Sequence, residues 1–318
     1  MRKTKDSKSS EYLSGVGQSA LAELYEEIGW EPTFRRAWIL SRLGSLRKEQ
    51  ACSTIDSLLS ICRSDRRLRE QVISRLVVPE THFFRSAPNL TYAIGELSKL
   101  PHAVRVWSAG CASGEELYSV AASLKRGGIV PSLLLGTDVS AEAIRSAQRG
   151  TYGVWSLRGT DPSLCTDFLK PQGHTYRVRE AHRSKTRFIR HNLLDSRVPG
   201  GGAFDVTFCQ NVLLYMSAPS RRLVWKNLVA ATRVGGLILT SSADPAPDPS
   251  LDLQPIRSGQ VRGYLVGATD RQHGLPSPDL YSGADSRPAP GRRLADVLAE
   301  CRLSAQRIRE LGARSRVA

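Results

Sequence analysis

The sequence predicts an α/β protein in which a Rossmann-like sheet follows an all-helical N-terminal domain. Three observations support this class. After Val104, short strand-like runs alternate with helical stretches. Before Pro79, apolar residues recur at helical spacing instead. The loop after the first strand-like run is rich in glycine and serine, as in open sheets that bind a ligand at the carboxyl ends of their strands.

Residues 18–80 are predicted to form the helical domain. Apolar side chains three and four positions apart define two of its helices, at Ile55, Leu58, Leu59 and Cys62 and at Leu68, Val72, Ile73 and Leu76. So short a segment makes a marginal core, and we expect it to pack on the sheet domain that comes after it in the chain. The basic, polar residues 1–17 are predicted to be a disordered tail.

Residues 81–267 are predicted to form the sheet domain. Its strand-like runs are VRVWSA, LLLGTD, TRFIRHN, FDVTFC and GLILTSS, with helices at Glu115–Arg126, Ala141–Gln148 and Ala218–Thr232. This alternation predicts parallel strands with right-handed crossovers. A polar stretch near 150–185 is predicted to be a small insertion, and Val261–Val266 a last strand. Residues 268–292 are predicted to be a linker and 293–318 an amphipathic C-terminal helix.

The composition is typical of a globular protein without membrane spans, disulfides or a metal site. Of 318 residues, 41% are hydrophobic and 24% charged, as in soluble globular proteins. No apolar run reaches the roughly 18 residues of a membrane span, and no secretory signal is visible, so we expect a cytoplasmic protein without membrane insertion. Six scattered cysteines predict neither a disulfide framework nor a metal site. A net charge of +15 favours an acidic partner, although a solvated arginine-rich surface is an alternative.

Two segments of the sheet domain suggest a ligand site. In WSAGCASGEE, residues 107–116, Gly110 and Gly114 let the backbone approach a ligand, although any tight turn from strand to helix recruits glycine. Asp138 ends the second strand-like run, where an acidic residue can accept hydrogen bonds from ribose hydroxyls. The alternative is that Asp138 or Ser140 caps the next helix.

Two further segments contain candidate functional residues. FCQNVLLY, residues 208–215, follows a strand and brings Asn211 and Tyr215 to the edge where a cofactor would meet an acceptor. The alternative is that Asn211 makes a turn and Tyr215 packs on the next helix. VVPETHFFR, residues 77–85, leaves the helical domain, and by spacing alone it indicates a hydrophobic hinge with a surface arginine, Arg85.

Together these segments resemble the CheR family of chemotaxis-receptor methyltransferases. ETHFFR, VWSAGCASGEELYS, GTDVSAEAIRSAQRGTY, NLL and FDVTFCQNVLLYM occur in the family's order, over roughly Leu68–Gly236. The resemblance implies a class I methyltransferase sheet with a small inserted β-subdomain and a helical N-terminal domain. It also implies S-adenosyl-L-methionine as cofactor, S-adenosylhomocysteine as product, and esterification of glutamate side chains on the helical cytoplasmic part of a receptor.

The resemblance also implies the site residues. Arg85 and Tyr215 are the candidate catalytic residues, since Tyr215 matches a tyrosine near the point of methyl transfer. Our hypothesis is that Arg85 holds a carboxylate, either the cofactor's or the substrate's, and that Tyr215 orients the acceptor oxygen. By position, Thr81 and Arg85 meet the methionine end of the cofactor, Asp138 the ribose, and Asn192 and Leu193 the adenine. The implied cofactor-binding residues are Pro79, Thr81, Arg85, Gly110, Glu115, Glu116, Asp138, Asn192, Leu193, Gln210 and Asn211.

Three departures from the family pattern keep other interpretations open. Gln210 stands where the family usually has arginine, GEELYS replaces GEEPYS, and SSAD replaces a Ser-Glu pair after the fifth strand. A regulatory module that binds the cofactor with little or no catalysis is therefore one alternative. A nucleic-acid methyltransferase is another, suggested by the charge and opposed by the missing (N/D)PP(Y/F) run of base-methylating enzymes.

A carboxylate acceptor suits these residues better than an amine. The ordinary pKa of glutamate, about 4.3, leaves it ionised at neutral pH, so it needs no general base. Positioning alone can be worth roughly 7–11 kcal/mol. An amine would have to lose a proton, and these motifs hold no obvious base. The basic helical domain would attract an acidic helical protein such as a chemoreceptor.

Overall fold

The computed structural model describes residues 13–32, 35–160, 164–165 and 167–267. Its first part is a helical bundle whose buried apolar side chains form one core. All eight residues whose spacing predicts helices belong to that core. The bundle consists of α1 (Gly15–Ile28), α2 (Arg36–Glu49), α3 (Ile55–Ile61) and α4 (Arg66–Leu76).

The bundle begins earlier than predicted. Ser14 caps α1, since its hydroxyl accepts a hydrogen bond from the backbone N–H of Gly17 at 3.3 Å. Its own backbone N–H donates to the Asp56 carboxylate at 3.1 Å, and Leu13 is buried in the core. The predicted tail, 1–17, is therefore too long. Gly15 and Gly17, poor helix formers in the first turn, hid the start of the helix. Residues 1–12 lie outside the described part of the chain.

The second part is built on a seven-stranded sheet. In chain order its strands are β1 (Val104–Ala109), β2 (Pro131–Asp138), β6 (Thr186–Arg190), β7 (Phe204–Phe208), β8 (Thr232–Leu239), β9 (Leu253–Pro255) and β10 (Gly263–Val266). Across the sheet their order is β6-β2-β1-β7-β8-β10-β9. Neighbours from β6 to β8 pair in parallel, while β10 runs antiparallel to β8 and β9. The predicted Rossmann-like fold class is confirmed.

Helices cover both faces of this sheet. Alternate residues face opposite cores, with Val106 on one side and Trp107 on the other. The helices of this part are α5 (Ala87–Leu97), α6 (Glu115–Arg126), α7 (Ala141–Arg149), α8 (Glu180–Arg183) and α9 (Ala218–Ala231), with 3₁₀ turns at Val154–Leu157, Pro199–Gly201 and Leu213–Tyr215. Among the described residues, no helix is long and apolar enough to cross a membrane.

The predicted insertion contains a small antiparallel sheet between α7 and β6. Its strands are β3 (Thr151–Gly153), β4 (Leu169–Gln172) and β5 (Thr175–Val178), in the order β3-β5-β4. It is tied to the main domain, because the Tyr152 hydroxyl donates to the carbonyl of Ser113 at 2.7 Å and the Phe83 N–H to the carbonyl of Ser156 at 2.9 Å. The predicted linker, 268–292, and C-terminal helix, 293–318, lie outside the described residues.

The helical bundle is joined to the sheet domain beside the loop after β7. Trp30 forms an antiparallel bridge with Met216, and the Glu31 N–H donates to the carbonyl of Tyr215 at 3.0 Å. Tyr215 and Val139 also pack against the core of the bundle. The bundle therefore forms part of the surroundings of any site at the carboxyl ends of the strands.

Candidate active site

A cleft opens at the carboxyl ends of β1 and β7. From β1 the strand order proceeds through β2 to β6, and from β7 it proceeds the other way through β8, so the direction of winding reverses between them. Open α/β sheets bind ligands at this position. The cleft encloses about 1070 Å³ including its open mouth, and Ile28 and Trp30 of the bundle line one side.

Most residues implied by the family resemblance line this cleft. They are Thr81, Arg85, Gly110, Glu116, Asp138, Asn192, Leu193, Gln210, Asn211 and Tyr215. Pro79 does not line the cleft, although its neighbours Val78 and Glu80 do. Glu115 does not either.

Glu115 faces the inserted sheet instead of the cleft. Its carboxylate accepts hydrogen bonds from the hydroxyls of Ser113 at 2.7 Å and Ser156 at 2.9 Å, and its side chain is buried. Consecutive residues of a helix project about 100° apart, so only one of two neighbouring glutamates in the first turn of α6 can face the cleft. That residue is Glu116.

Gly110 fits its turn because it has no side chain. Its φ of +81° is in the left-handed region, and a Cβ there would lie 2.4 Å from Cγ2 of Val212 in the loop after β7. The backbone N–H groups of Gly110 and Cys111 both donate to the carbonyl of Thr137 at 2.8 Å. The glycine turn is thus held between the ends of β2 and β7, with its backbone against the cleft.

Asp138 organises the loops around the cleft and does not cap α7. Ser140 is the cap, accepting from the N–H of Ala143 at 3.1 Å. The two carboxylate oxygens of Asp138 accept from the N–H groups of Ser140 at 2.9 Å and Ala112 at 3.0 Å. Burial raises the pKa of Asp138, and these N–H groups oppose the rise. Each oxygen retains a lone pair for a further donor.

Glu116 and Gln210 form a buried polar chain across the cleft floor. The Glu116 carboxylate accepts from the Ser108 hydroxyl and from Nε2 of Gln210, both at 2.7 Å. Oε1 of Gln210 accepts from Nδ2 of Asn89 at 2.7 Å. Burial raises the pKa of Glu116, while these two donors and the charge of Arg85 lower it. A neutral amide thus occupies the place of the family's arginine and satisfies both neighbours.

Asp244 is a residue whose role sequence reasoning missed. Its carboxylate accepts from the backbone N–H groups of Asn211 at 2.7 Å, Val212 at 3.0 Å and Leu214 at 3.3 Å. It also accepts from the N–H of Ser241 at 2.9 Å and from its hydroxyl at 2.7 Å. Asp244 therefore fixes the loop that carries Asn211 and Tyr215. The signal was the SSAD segment, read as the loss of a Ser-Glu pair.

Three of the six non-glycine residues with positive φ in the described part of the chain line the cleft. Phe84, Ala112 and Asn211 line it and have φ values of +54°, +47° and +59°. Asparagine tolerates this left-handed conformation, but phenylalanine and alanine are rarely found in it, at a cost of roughly 1–2 kcal/mol each. Such strain is common where a site needs a fixed backbone.

Arg85, Tyr215 and His82 line one end of the cleft. Arg85 is exposed, donates to the carbonyl of Glu80 at 2.6 Å, and forms no ion pair with a carboxylate of the described ranges. Tyr215 stacks on Trp30 with ring centroids 5.2 Å apart, and burial raises its pKa, so its hydroxyl stays protonated at neutral pH. Sequence reasoning missed His82, although it belongs to the ETHFFR segment.

Asn192 and Leu193 line the side of the cleft that adjoins the bundle. The amide of Asn192 is already engaged, because Nδ2 donates to the carbonyl of Glu27 at 2.6 Å and Oδ1 accepts from the N–H of Leu194 at 3.1 Å. Leu193 is buried and presents an apolar surface. Asn192 thus links the loop after β6 to α1 while contributing to the wall.

The fold and this cleft define a Rossmann-like protein with a site for a nucleoside-containing cofactor. Residues 79–253 match the family described as CheR methyltransferase, SAM binding domain. This match spans more than half of the chain, which therefore belongs to the CheR family. It is a methyltransferase that uses S-adenosylmethionine, as the sequence predicts.

The chain is similar to two curated proteins named methyltransferases. The chain is 29% identical over 226 residues to chemotaxis protein methyltransferase 1 of Pseudomonas aeruginosa, covering 65% of this chain and 81% of the relative. It is 33% identical over 196 residues to a probable biofilm formation methyltransferase, WspC, of the same species, covering 59% and 46%. A TehB-like SAM-dependent methyltransferase from Corynebacterium glutamicum aligns over 56% of this chain and 87% of its own, at 14% identity and a TM-score of 0.35.

Proposed function

We propose that this methyltransferase esterifies glutamate carboxylates on an acidic, helical, receptor-like protein, most simply the cytoplasmic domain of a chemoreceptor. The observation that carries the proposal is Arg85, an exposed guanidinium at the cleft without a carboxylate partner among the described residues. An arginine in that state suits a carboxylate, because its planar fork matches the two oxygens, and this proposal assigns it the acceptor's carboxylate in place of the cofactor's. The names of the chemotaxis relatives support the same acceptor class.

The residues of the cleft fit the cofactor. Asp138 has lone pairs available for ribose hydroxyls, and Leu193 offers an apolar surface to a base. Glu116 and Gln210 present polar groups on the floor. When bound, S-adenosylmethionine supplies a methyl group already activated on a sulfonium. In this proposal the protein itself contributes orientation and no metal, so we expect chelators to leave activity unchanged.

Arg85 and Tyr215 would bind and orient the acceptor. The guanidinium pairs with the ionised carboxylate, and the protonated Tyr215 hydroxyl can donate to one of its oxygens. A glutamate is ionised at neutral pH, so no proton has to be removed before it reacts. The stack on Trp30 limits movement of the Tyr215 ring, which favours a fixed approach.

One observation favours an amine acceptor as a second candidate. His82 lines the cleft, its Nδ1 is buried without a hydrogen-bond partner among the described residues, and burial together with Arg158 and Arg85 lowers its pKa. A neutral imidazole at pH 7 could accept a proton from an ammonium group. Methyl esters release methanol in mild alkali, whereas methylated amines do not, so the product distinguishes the two candidates.

The basic face of α4 would attract an acidic partner. Arg66 and Arg67 are exposed, and the one ion pair of Arg66 within the described ranges is a 3.6 Å contact with Glu70. Arg69 is instead paired with Glu27 at 2.5 Å and holds two helices together. Reversing Arg66 and Arg67 to glutamate should therefore slow methylation at low salt without changing the affinity for S-adenosylhomocysteine. An unchanged rate would remove α4 from the encounter surface.

The testing experiment is transfer of labelled methyl groups to purified chemoreceptor cytoplasmic fragments. The unmodified chain should give alkali-labile label, Arg85→Gln should give little, and the exposed Arg257→Gln should match the unmodified chain. Binding of S-adenosylhomocysteine without label on any fragment would support the regulatory module instead. Stable label on RNA or DNA, with binding that weakens steeply as salt rises, would support a nucleic-acid acceptor.

A further inference from the structure

A second groove continues from the cleft past the ends of β7 and β8. Arg85, Ser86 and Asn211 line both the cleft and the groove, so the two are continuous. At its far end the groove is lined by Ser242 and Arg262. A ligand bound at Arg85 can therefore extend along the protein surface toward β10.

The groove is positively charged and polar. Arg85 and Arg262 both line it, and the described residues of its walls include no aspartate or glutamate. Arg262 is exposed and, within the described ranges, forms no ion pair with a carboxylate. The Ser241 hydroxyl donates to Asp244 behind the wall, and neither guanidinium of the groove pairs with a carboxylate of the described residues. This arrangement suits a ligand with two negative groups.

The far end of the groove is connected by hydrogen bonds to the loop after β7, which carries Asn211. The backbone N–H of Arg262 donates to Oδ1 of Asn89 at 2.9 Å. Nδ2 of the same asparagine donates to the carbonyl of Thr240 at 2.8 Å and to Oε1 of Gln210 at 2.7 Å. Asn89 is only 4% exposed. One buried amide therefore sets the position of Arg262 relative to the loop that carries Asn211.

We propose that this groove binds the stretch of the acceptor next to the methylated glutamate, and that Arg262 pairs with a second carboxylate on that stretch. The inference rests on the proposed function, because it takes the acceptor glutamate to bind at Arg85. Arg262 is then a specificity-determining residue that touches the substrate away from the reacting oxygen. An acceptor with two suitably spaced carboxylates is preferred over one with a single carboxylate.

Helical peptides with one or two glutamates test this directly. The second glutamate is placed one, three or four residues from the first, and the control peptides carry glutamine there. Binding to the full chain saturated with S-adenosylhomocysteine is measured by fluorescence anisotropy, and labelled methyl transfer is measured in parallel. The variants are Arg262→Gln and Arg262→Lys, with the exposed Arg257→Gln, which does not line the groove, as matched control.

At one spacing, the second glutamate should strengthen binding about 1.5-fold to fivefold, the range expected for one exposed ion pair. Arg262→Gln should abolish that advantage, while Arg262→Lys and Arg257→Gln should retain it. An equal advantage in Arg262→Gln overturns the inference. So does Arg262-dependent competition by single-stranded RNA, which would make the groove a phosphate site.

The same data separate this inference from the proposed function. If the unmodified chain binds cofactor product but neither binds nor methylates any glutamate peptide, the proposed function fails and the groove assignment fails with it. If single-glutamate peptides are methylated without preference for a second carboxylate, only the groove assignment fails. Unchanged affinity of Arg262→Gln for S-adenosylhomocysteine shows that the variant is folded.

Discussion

Replacing Asp244 by alanine is expected to release the loop that carries Asn211 and Tyr215. The carboxylate accepts five hydrogen bonds, three of them from backbone N–H groups of that loop. Asn211 has a φ of +59°, so this conformation depends on contacts that hold it. Without the carboxylate, the loop should adopt several conformations.

The magnitude of the effect depends on the number and kind of these contacts. A hydrogen bond to a charged group contributes about 1.5–3 kcal/mol net, but bonds that share one acceptor are not additive, and water can reach the half-buried Asp244. We therefore expect a loss of about 2–4 kcal/mol in the free energy of unfolding. Methyl transfer should fall about 100-fold, since a displacement of about 1 Å near reacting groups can cost that much.

Three measurements on Asp244→Ala test this expectation, with Asp248→Ala as control because that aspartate is exposed and bonds only within its own turn. They are the free energy of unfolding in urea, the affinity for S-adenosylhomocysteine by calorimetry, and the methylation rate. If both variants unfold alike and methylate alike, the Asp244 carboxylate does not hold the loop. A loss of stability with an unchanged rate at saturating cofactor would mean that Asp244 supports the fold without positioning the loop.

Three further predictions concern single side chains. Asp138→Asn should weaken S-adenosylhomocysteine binding, measured by calorimetry, about 10–100-fold. Ser140→Ala should lower the free energy of unfolding by about 1 kcal/mol and leave that binding unchanged. Equal effects of the two variants on binding would mean that Asp138 has a structural role only. Gln210→Glu would bring a second carboxylate within hydrogen-bond distance of the Glu116 carboxylate, so one of the two must hold a proton. The affinity of this variant for S-adenosylhomocysteine should therefore fall more at pH 8 than at pH 6. Burial lowers the pKa of His182 below its usual 6.5, so the stability that the neutral histidine contributes is present above that pH and is lost as the pH falls. Between pH 7.5 and 5.5, the free energy of unfolding in urea should therefore decrease less for His182→Gln than for the unmodified chain.

Local sequence patterns predicted the elements that frame the cleft. The first strand, Val104–Ala109, and the helix Glu115–Arg126 occur with the predicted bounds, because their signals lie within the segments themselves. The turn at Gly110 was predicted from its glycines, and the structure adds the contact with Val212 that requires one. What the sequence could not supply was the direction of individual side chains.

Contacts between distant segments account for the residues that were missed or misassigned. Asp244 binds a loop about thirty residues earlier in the chain, and nothing in SSAD indicates that partner. The choice between Glu115 and Glu116 depends on how α6 is rotated on the sheet, which helix periodicity alone leaves open at the first turn. The family pattern has an arginine where this chain has Gln210, which suggested a lost charge in the site, yet both ends of the Gln210 amide are hydrogen-bonded.

The junction between Trp30 and the Tyr215 loop limits how far the chain can be shortened while still forming the complete cleft. The segment that matches the family, 79–253, leaves out the indole that stacks on the Tyr215 ring and the Glu27 carbonyl that holds Asn192. A shortened chain beginning at Pro79 would lose one side of its own binding site and expose the apolar surface around Val139. The catalytic unit is therefore the bundle and the sheet domain together, and a partner that tilts the bundle would also move the tyrosine.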